Sequence, residues 1–496
     1  MKPSRRTIYA GVLAFGLLLS GCSSTNEITS QQALTEGEAG PVPSFGPGGP
    51  ATPRANSGTR TVTSTEGGST IPGGPPVVPG GGPVRMGRGV TATSIKIGFN
   101  ITKNLSAALV AVGFGGGGSG EFVGEERPIV DALIKQMNKG GGIAGRKIEP
   151  VFFEYDATQA QGWDALAAQA CATFIEDNEV FAVVSGHVGQ TDTLLSCLAE
   201  GGVPLVQQNQ WPYDGEYFNS YAGWFYQPSR MRPERWVPQY IDGLKGAGYF
   251  TSGYKLGLIR FDAPVFGRIE KMIRSTLKSR GLNLTDVSVI GTPQSVGQFS
   301  AMSGELSNTI LQFRSKGITH VIFDEYAAII PFFFLTQAES QRFRPRYGFT
   351  SVNLPGTNEQ QHGPPQLHGS ISVSWLPGQD FFADAPKDPR ITAGGAFQRC
   401  MKLLRDELGL PASRLYGPSH CDNLFFLESA LGRTNDITPA GLRASAESLG
   451  TSYDSPYTWS TRFGPGRTDG ASKTMLSKYD DGCECFKFSN NYRDAG

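Results

Sequence analysis

The chain has 496 residues, and its 44 lysines and arginines balance 44 aspartates and glutamates, so the formal net charge is zero. This balance removes any electrostatic argument for nucleic acid or an anionic surface as a partner. The 65 glycines and 33 prolines are concentrated near the N-terminus. The roughly 400 residues that follow suffice for two lobes, each with its own core.

The first residues are typical of a bacterial export signal. A basic start with Arg5 and Arg6 precedes an apolar run at residues 8–19, which is too short to span a bilayer as a mature helix. The run ends in Leu-Ser-Gly-Cys, which resembles a lipobox. We therefore predict a signal peptide over residues 1–21, lipidation at Cys22 and an acyl anchor on the outer face of the cell membrane. A plain signal peptide with a chance cysteine is the alternative, and both Sec and twin-arginine export stay open.

Residues 22–89 follow as a Gly/Pro-rich segment with almost no aromatic side chain. Such a composition cannot bury enough apolar surface to offset the entropy of ordering the chain. We predict a disordered tether that spaces the folded part from the membrane.

Residues 89–156 read as the first strand–helix–strand unit. Residues 95–100 alternate and are rich in β-formers. Residues 127–138 place Val130, Leu133 and Met137 at helical spacing, and three glycines end this helix. A second strand at residues 147–154 then implies parallel pairing and a right-handed crossover.

Four segments carry a resemblance to a known family: GVTATSIKIG, NKGGGIAGRKIEPVFFEYD, EVFAVVSGHVG and GVPLV. They resemble the substrate-binding lipoproteins of ABC transporters, of the branched-chain amino-acid (leucine/isoleucine/valine-binding) type. The resemblance runs from about residue 90 to the C-terminus. It implies an α/β fold in which two doubly wound parallel-sheet lobes are joined by a multi-strand hinge, the type I periplasmic-binding fold.

The rest of the chain alternates strands and helices in the same rhythm. Pro/Gly-rich breaks at residues 212–228 and 352–356 mark expected crossings between the lobes. We predict that residues 90–215 and 353–437 form the first lobe, and that residues 216–352 form the second. The resemblance implies that residues 438–496 return to the second lobe. The predicted strands lie at 180–185, 203–207, 255–260, 286–290, 319–324, 346–350, 369–375 and 485–488. The predicted helices lie at 160–177, 191–200, 232–247, 268–280, 299–316, 328–340, 393–407 and 420–431.

Six cysteines remain when Cys22 is set aside, an even number that suits disulfides in an oxidising compartment. Fifteen connectivities are possible from sequence alone. The pairs that could meet are Cys171 with Cys197, Cys400 with Cys421, and Cys483 with Cys485. The last pair would close a small ring and is the least secure, with a metal or redox site as the rival interpretation.

Ligands of open α/β sheets bind beyond the carboxyl ends of the strands. The first-lobe candidates there are Asn100, Thr102, Ser185, Gly186, His187, Gln190, Thr191, Gln208 and Asn209. The loop at residues 185–191 leads into a helix N-terminus, where free N–H groups attract an anion. The resembling family binds its ligand's carboxylate at this loop, and a helix cap without a ligand is the alternative. The amides at 208 and 209 suit a polar, neutral ligand.

The resemblance supplies two candidates from the second lobe. Phe266 stands where the family often has a Tyr-Gly pair, and it keeps the aromatic wall of the site. Glu325 stands where an acidic group meets the ligand's ammonium, and a surface carboxylate is the alternative.

Enzyme motifs are missing from the sequence. There is no GxSxG, no HExxH and no phosphate loop ending in GK[ST]. Gly115, Gly117 and Gly120 match GxGxxG, but no strand directly precedes them, so we predict a mobile loop at the lip of the cleft. We expect no catalysis, no cofactor and no metal.

These observations favour an extracytoplasmic solute-binding lipoprotein. We expect a monomer that captures a small polar ligand, such as an amino acid or an amide, between its lobes and delivers it to the subunits of an ABC permease. Ligand binding would shift an open–closed equilibrium. The alternative is a ligand-sensing receptor or adaptor that uses the same fold to signal to a partner protein.

Overall fold

The computed structural model describes residues 60–61, 83–111, 125–159, 161–186, 192–380, 395–409 and 416–496. The strands are β1 Arg60–Thr61, β2 Arg85–Met86, β3 Ser94–Lys103, β4 Lys147–Asp156, β5 Ala182–Ser185, β6 Leu205–Gln207, β7 Phe225–Tyr226, β8 Leu256–Phe261, β9 Asp286–Ile290, β10 His320–Asp324, β11 Arg346–Thr350, β12 Ile371–Ser374, β13 Asp436–Ile437, β14 Lys473–Asp480 and β15 Cys485–Asp494. None of the helices in these ranges is long and apolar enough to cross a membrane.

The helices are α1 Leu105–Ala111, α2 Glu126–Lys139, α3 Trp163–Ala172, α4 Asp192–Glu200, α5 Gly215–Ser220, α6 Pro233–Gly246, α7 Pro264–Ser279, α8 Met302–Lys316, α9 Ile329–Ser340, α10 Pro355–Gln361, α11 Pro364–Leu367, α12 Pro377–Asp380, α13 Gly395–Leu408, α14 Tyr416–Leu431 and α15 Pro439–Ser448. A π-helical turn, Thr173–Asp177, extends α3, and 3₁₀ turns occupy Val296–Ala301 and Ser351–Asn353.

The first lobe is built on five parallel strands in the order β4-β3-β5-β6-β7. The predicted first βαβ unit is present, because β3 pairs in parallel with β4 and α2 lies between them in sequence. Val130, Leu133 and Met137 form the buried face of α2, as the helical spacing predicted. Ile95, Ile97, Phe99 and Ile101 alternate along β3 and so share one face, which packs in the same core as α2.

The second lobe is built on seven strands in the order β15-β14-β12-β11-β10-β8-β9. The five from β12 to β9 are parallel, which suits strands buried under helices on both faces. The hairpin β14–β15 adds to this sheet in antiparallel sense through β12. The sequence predicted only four residues of β15 and missed β14. The α/β class and the two parallel-sheet lobes are confirmed.

The chain crosses between the lobes later than the sequence predicted at each step. β7 pairs with β6, so the first lobe extends past residue 215 to Tyr226. β12 pairs with β11, so the return expected at residues 352–356 comes only after Ser374. α15 packs on α14, which packs on α2 and β5, so the last crossing follows Ser448 and not residue 437. Strand pairing between distant segments overrides the local Pro/Gly breaks.

Two of the crossing segments pair with each other to make the hinge. The Gln227 N–H donates to the Thr468 carbonyl at 2.9 Å, and the Gly470 N–H donates to the Gln227 carbonyl at 3.0 Å. Asp469 between them is fully buried and ion-paired to Arg235. A hinge with several segments restrains closure to one path.

The end of the predicted tether is part of the fold. Arg85–Met86 pairs with Arg60–Thr61 on one side and with Asp436–Ile437 on the other. The prediction of a disordered segment up to residue 89 is therefore wrong for these positions. The remainder of the tether, the signal peptide and Cys22 lie outside the described residues.

Three disulfides join the six remaining cysteines. They are Cys171–Cys197 between α3 and α4, Cys400–Cys421 between α13 and α14, and Cys483–Cys485 in the β14–β15 turn. Each disulfide joins one of the three candidate pairs named from the sequence. The first two each tie neighbouring helices of the first lobe. They close loops with sequence separations of 26 and 21, against 2 for the third, so loop-closure entropy makes these two the more stabilising cross-links.

Candidate functional site

Two strands of the first lobe end side by side at the carboxyl edge of their sheet. Asn100 of β3 is in register with Ser185 of β5, and the Asn100 Nδ2 donates to the Ser185 Oγ at 3.3 Å. Thr102 lies two residues further along β3. The structure brings these three side chains to one edge, as parallel pairing requires, but it leaves each of them at most 7% exposed.

A buried hydrogen-bonded pair that the sequence did not indicate supports this edge. Glu126 Oε1 lies 2.5 Å from His420 Nε2, and both side chains are fully buried. Glu126 Oε2 accepts a hydrogen bond from the Thr102 N–H at 2.8 Å. Gly186 sits directly against this pair, because a Cβ at that position would lie 1.8 Å from Glu126 Oε1. Packing against Glu126 therefore requires a glycine at position 186.

The amides predicted to face a ligand belong to the buried hinge instead. Gln208 and Asn209 have no exposed surface. The Gln208 Nε2 donates to the carboxylate of Asp422, and the Asn209 Nδ2 donates to Gln207 Oε1 at 2.5 Å. Burial raises the pKa of Asp422 to about 6, against hydrogen bonds that lower it. The structure therefore gives no support to ligand contacts at 208 and 209, because both side chains are buried and their amide N–H groups donate to other protein groups.

Glu325 is likewise turned into the protein. Its Oε1 accepts from Asn353 Nδ2 at 2.7 Å, and its Oε2 accepts from the Ile329 N–H at 3.0 Å, at the start of α9. Only 1% of the residue is exposed, and desolvation raises its pKa to about 8. Both oxygens are engaged by protein groups, so the structure gives no support to the predicted contact with a ligand's ammonium.

Phe266 contributes to an aromatic wall between the lobes, and its contact with a ligand stays a prediction. The wall consists of Trp163 and Trp211 from the first lobe and Phe266 and Tyr326 from the second. Trp211 lies 5.2 Å from Phe266 and 5.1 Å from Tyr326, measured between ring centroids. Trp163 lies 6.3 Å from Tyr326. These rings fill the space between the two sheet edges.

An open cavity of about 470 Å³ lies beside the aromatic wall, and both lobes line it. We call it the interlobe cavity. Its lining residues are Asp164, Asp192, Thr193, Trp211, Glu216, Tyr217, Ser220 and Tyr221 from the first lobe and Ala263, Pro264, Val265, Arg268, Thr292 and Gln294 from the second. A volume of this size is in the range of small-molecule sites.

Hydrogen bonds between residues near the starts of α3, α4 and α5 hold polar side chains of the cavity in place. The Thr193 Oγ1 donates to Asp164 Oδ1 at 2.6 Å, and the Tyr217 hydroxyl donates to Asp192 Oδ2 at 2.9 Å. Desolvation raises the pKa of Asp192, and the nearby charge of Asp164 adds to the rise. Asp164 and Asp192 lie in the first turns of α3 and α4, which explains why pattern reading alone treats them as helix signals.

An ion pair links the lobes at the same place. Arg268 of α7 donates from Nε and Nη2 to the two oxygens of Asp214, at 2.5 and 3.1 Å. The hydrogen bond to Asp214 raises the pKa of Arg268. Glu216 lies 3.2 Å from the same guanidinium. Arg268, the only arginine among the described residues that line the cavity, is thus committed to carboxylates of the opposite lobe.

Several predicted positions lie outside the described residues: His187, Gln190, Thr191 and the glycine run at 114–120. The described part of the chain contains no group of three or more side chains able to hold a metal ion.

A family model described as periplasmic binding protein matches residues 117–479, most of the chain. The chain belongs to the periplasmic binding protein family. This confirms the resemblance and the fold that the sequence indicated. Among curated proteins, none matches this chain.

Solved structures of substrate-binding proteins share the fold at low sequence identity. A substrate-binding protein of Desulfitobacterium hafniense in complex with Leu is 15% identical, with a TM-score of 0.52 over 80% of this chain and 100% of its own. A fatty acid ABC transporter substrate-binding protein of Thermomonospora curvata is 14% identical, with a TM-score of 0.57 over 83% and 95%. The branched-chain amino acid protein LivJ of Streptococcus pneumoniae, with isoleucine, is 14% identical, with a TM-score of 0.55 over 81% and 99%.

As a periplasmic binding protein, the chain has the solute-binding role of an extracytoplasmic family whose members are substrate-binding proteins and not enzymes. At identities near 15%, the similarity to the solved structures shows the fold alone. The ligand class has to be argued from the residues of this chain. Sequence reasoning missed Asp164, Asp192 and Trp211, although each directly follows or opens a predicted element.

Proposed function

We propose that this protein captures a small polar solute in the interlobe cavity and delivers it to an ABC permease. The observation that carries the proposal is the lining of the cavity by polar and aromatic side chains from both lobes. A solute that contacts both lobes stabilises their closed arrangement, which is the differential affinity that a transport cycle requires. The sensor alternative needs the same binding step, and copurification with permease subunits separates the two.

A thermal-shift screen tests the binding site. Amino acids, amides, amines, sugars and carboxylates form the panel. A true ligand at about 100 times its Kd adds about 2.7 kcal/mol to the free energy of unfolding, because it binds only the folded state. Ser220→Trp should abolish the shift, since Ser220 lines the cavity mouth and the indole would occupy it.

Asn219→Trp is the matched control for this screen. Asn219 is exposed and adjacent in α5, but it does not line the cavity. The shift should survive there. A ligand whose shift persists undiminished in Ser220→Trp binds elsewhere, and that result rejects the cavity as the site.

We further propose that acyl chains on Cys22 hold the protein at the outer face of the cell membrane. The support is the basic start, the short apolar run and the Leu-Ser-Gly-Cys sequence. Cys22→Ser should release the protein from the membrane fraction and abolish incorporation of labelled palmitate. Ser24→Ala, two residues on, should leave both unchanged. Membrane retention of Cys22→Ser would refute the lipid anchor.

A further inference from the structure

The charges that line the interlobe cavity are unevenly distributed. Three carboxylates, those of Asp164, Asp192 and Glu216, face one guanidinium, that of Arg268. Arg268 is already held by both oxygens of Asp214 and by Glu216. Asp164 and Asp192 form no ion pair within the part of the chain that the structure describes, and the charge of Arg268 acts on Asp192 only from a distance.

The starts of two helices also contribute to the electrostatic potential at the cavity. α3 and α4 pack against each other, and both begin at the cavity. Two helix N-termini side by side would attract an anion, such as the carboxylate that the sequence predicted near the start of α4. Asp164 and Asp192 lie in those first turns and reverse the sign of the local potential. Their mutual repulsion adds to the desolvation that raises the pKa of Asp192.

Aromatic faces in the cavity point to the same ligand chemistry independently of the acids. Trp211, Tyr217 and Tyr221 contribute rings to the lining. The face of Tyr217 already accepts one cation, since the Arg268 guanidinium lies 5.7 Å from its centroid. Carboxylates beside aromatic faces are the combination that binds ammonium and guanidinium groups through charged hydrogen bonds and cation–π contact.

We propose that the interlobe cavity selects solutes that carry a positively charged amine or guanidine, which Asp164 and Asp192 bind against the rings of Trp211, Tyr217 and Tyr221. This rests on the proposed function and names its solute class. The other end of the solute reaches the hydroxyl of Thr292 and the amide of Gln294 on the second lobe, so that one molecule spans both lobes. A free carboxylate at the Asp192 end is excluded by like charge.

Isothermal titration with matched probes tests the charge preference. Putrescine, succinamide and succinate share a four-carbon chain with cationic, neutral and anionic ends. Putrescine should bind at least about tenfold more tightly than either of the others at pH 7. Asp164→Asn and Asp192→Asn should each weaken the affinity for putrescine by about tenfold, which is the effect of losing one charged hydrogen bond. Glu200→Gln, at the far end of α4 and outside the lining, should change nothing.

Acid should also weaken putrescine binding. As pH falls through the raised pKa of Asp192, its carboxylate takes up a proton and loses its attraction for the amine. Both aspartates also stabilise their own helices, so melting temperatures of the variants are recorded, and affinity and not stability decides the outcome.

Two results overturn the inference. One is preferential binding of succinamide or succinate that Ser220→Trp abolishes and the aspartate variants spare, which leaves the proposed function intact. The other is the lack of any heat or shift with putrescine at millimolar concentration. Failure of every solute class in the wider screen would instead reject the proposed function itself.

Discussion

Glu126→Ala should lower the free energy of unfolding by about 2–6 kcal/mol, because two buried groups lose their hydrogen-bond partner at about 1–3 kcal/mol each. The substitution leaves His420 beside an empty space and removes the acceptor of the Thr102 N–H. Neither Glu126 nor His420 has solvent access to replace these contacts. Urea or guanidinium denaturation at pH 7 measures the change.

Glu154→Ala is the surface counterpart. It breaks the ion pair with Arg127, which is the next residue along α2 but is partly exposed, and it should cost at most about 1 kcal/mol. Glu126→Gln, which keeps an acceptor for the Thr102 N–H, should fall between the two. Equal losses in Glu126→Ala and Glu154→Ala would show that the buried pair carries no special share of the stability.

Stability should fall as the pH rises from about 5 to 8, and Glu325→Gln should remove part of that fall. The folded-state pKa of Glu325 is raised to about 8, above the ordinary value of 4.5. The folded state therefore keeps a proton that the unfolded state has lost, so stability is full below pH 4.5 and declines through this window. Asp380, raised to about 7, and Asp422, raised to about 6, act in the same direction.

Denaturation of the wild type and Glu325→Gln at pH 5 and pH 8 gives the comparison. We expect Glu325→Gln to recover about 2–4 kcal/mol of the loss at pH 8, because an amide cannot ionise and can still accept a hydrogen bond. Glu339→Gln is the control, since Arg344 lowers the pKa of Glu339 to about 2 and its stabilising charge is complete at both pH values, so this substitution should leave the difference between pH 5 and pH 8 unchanged. Parallel pH profiles for the wild type and Glu325→Gln would contradict the burial argument.

The local residue pattern was sufficient to predict the helices and strands that are determined by nearby residues. The apolar spacing of α2 and the alternation of β3 predicted both, and the family resemblance predicted the two-lobed fold. The crossings were misplaced because β12 contains nothing that says which sheet it joins. Its place is set by pairing with β11 on one side and β14 on the other, and β14 lies about a hundred residues away.

The candidate site shows a similar division. The sequence shows a carboxylate after a strand at Glu325. It does not show that the hydrogen-bond donors to this carboxylate are Asn353 and a backbone N–H at the start of α9. Gln208 was visible as an amide, but Asp422, more than two hundred residues later, takes its N–H. The burial of a side chain and the identity of its hydrogen-bond partner depend on the tertiary structure. Phe266 is fully buried and is not among the residues that line the interlobe cavity, so its role in ligand binding stays a prediction.

The antiparallel hairpin that completes the second sheet sets an order of events during synthesis. Until β14 emerges from the ribosome, β12 has an unpaired edge, which is a template for wrong partners. The lobe that begins to form after Tyr226 therefore stays unfinished until about two hundred and fifty further residues have been made. A chain with this order is suited to being held unfolded for export, because it reaches its stable state only when nearly the whole sequence is free to fold.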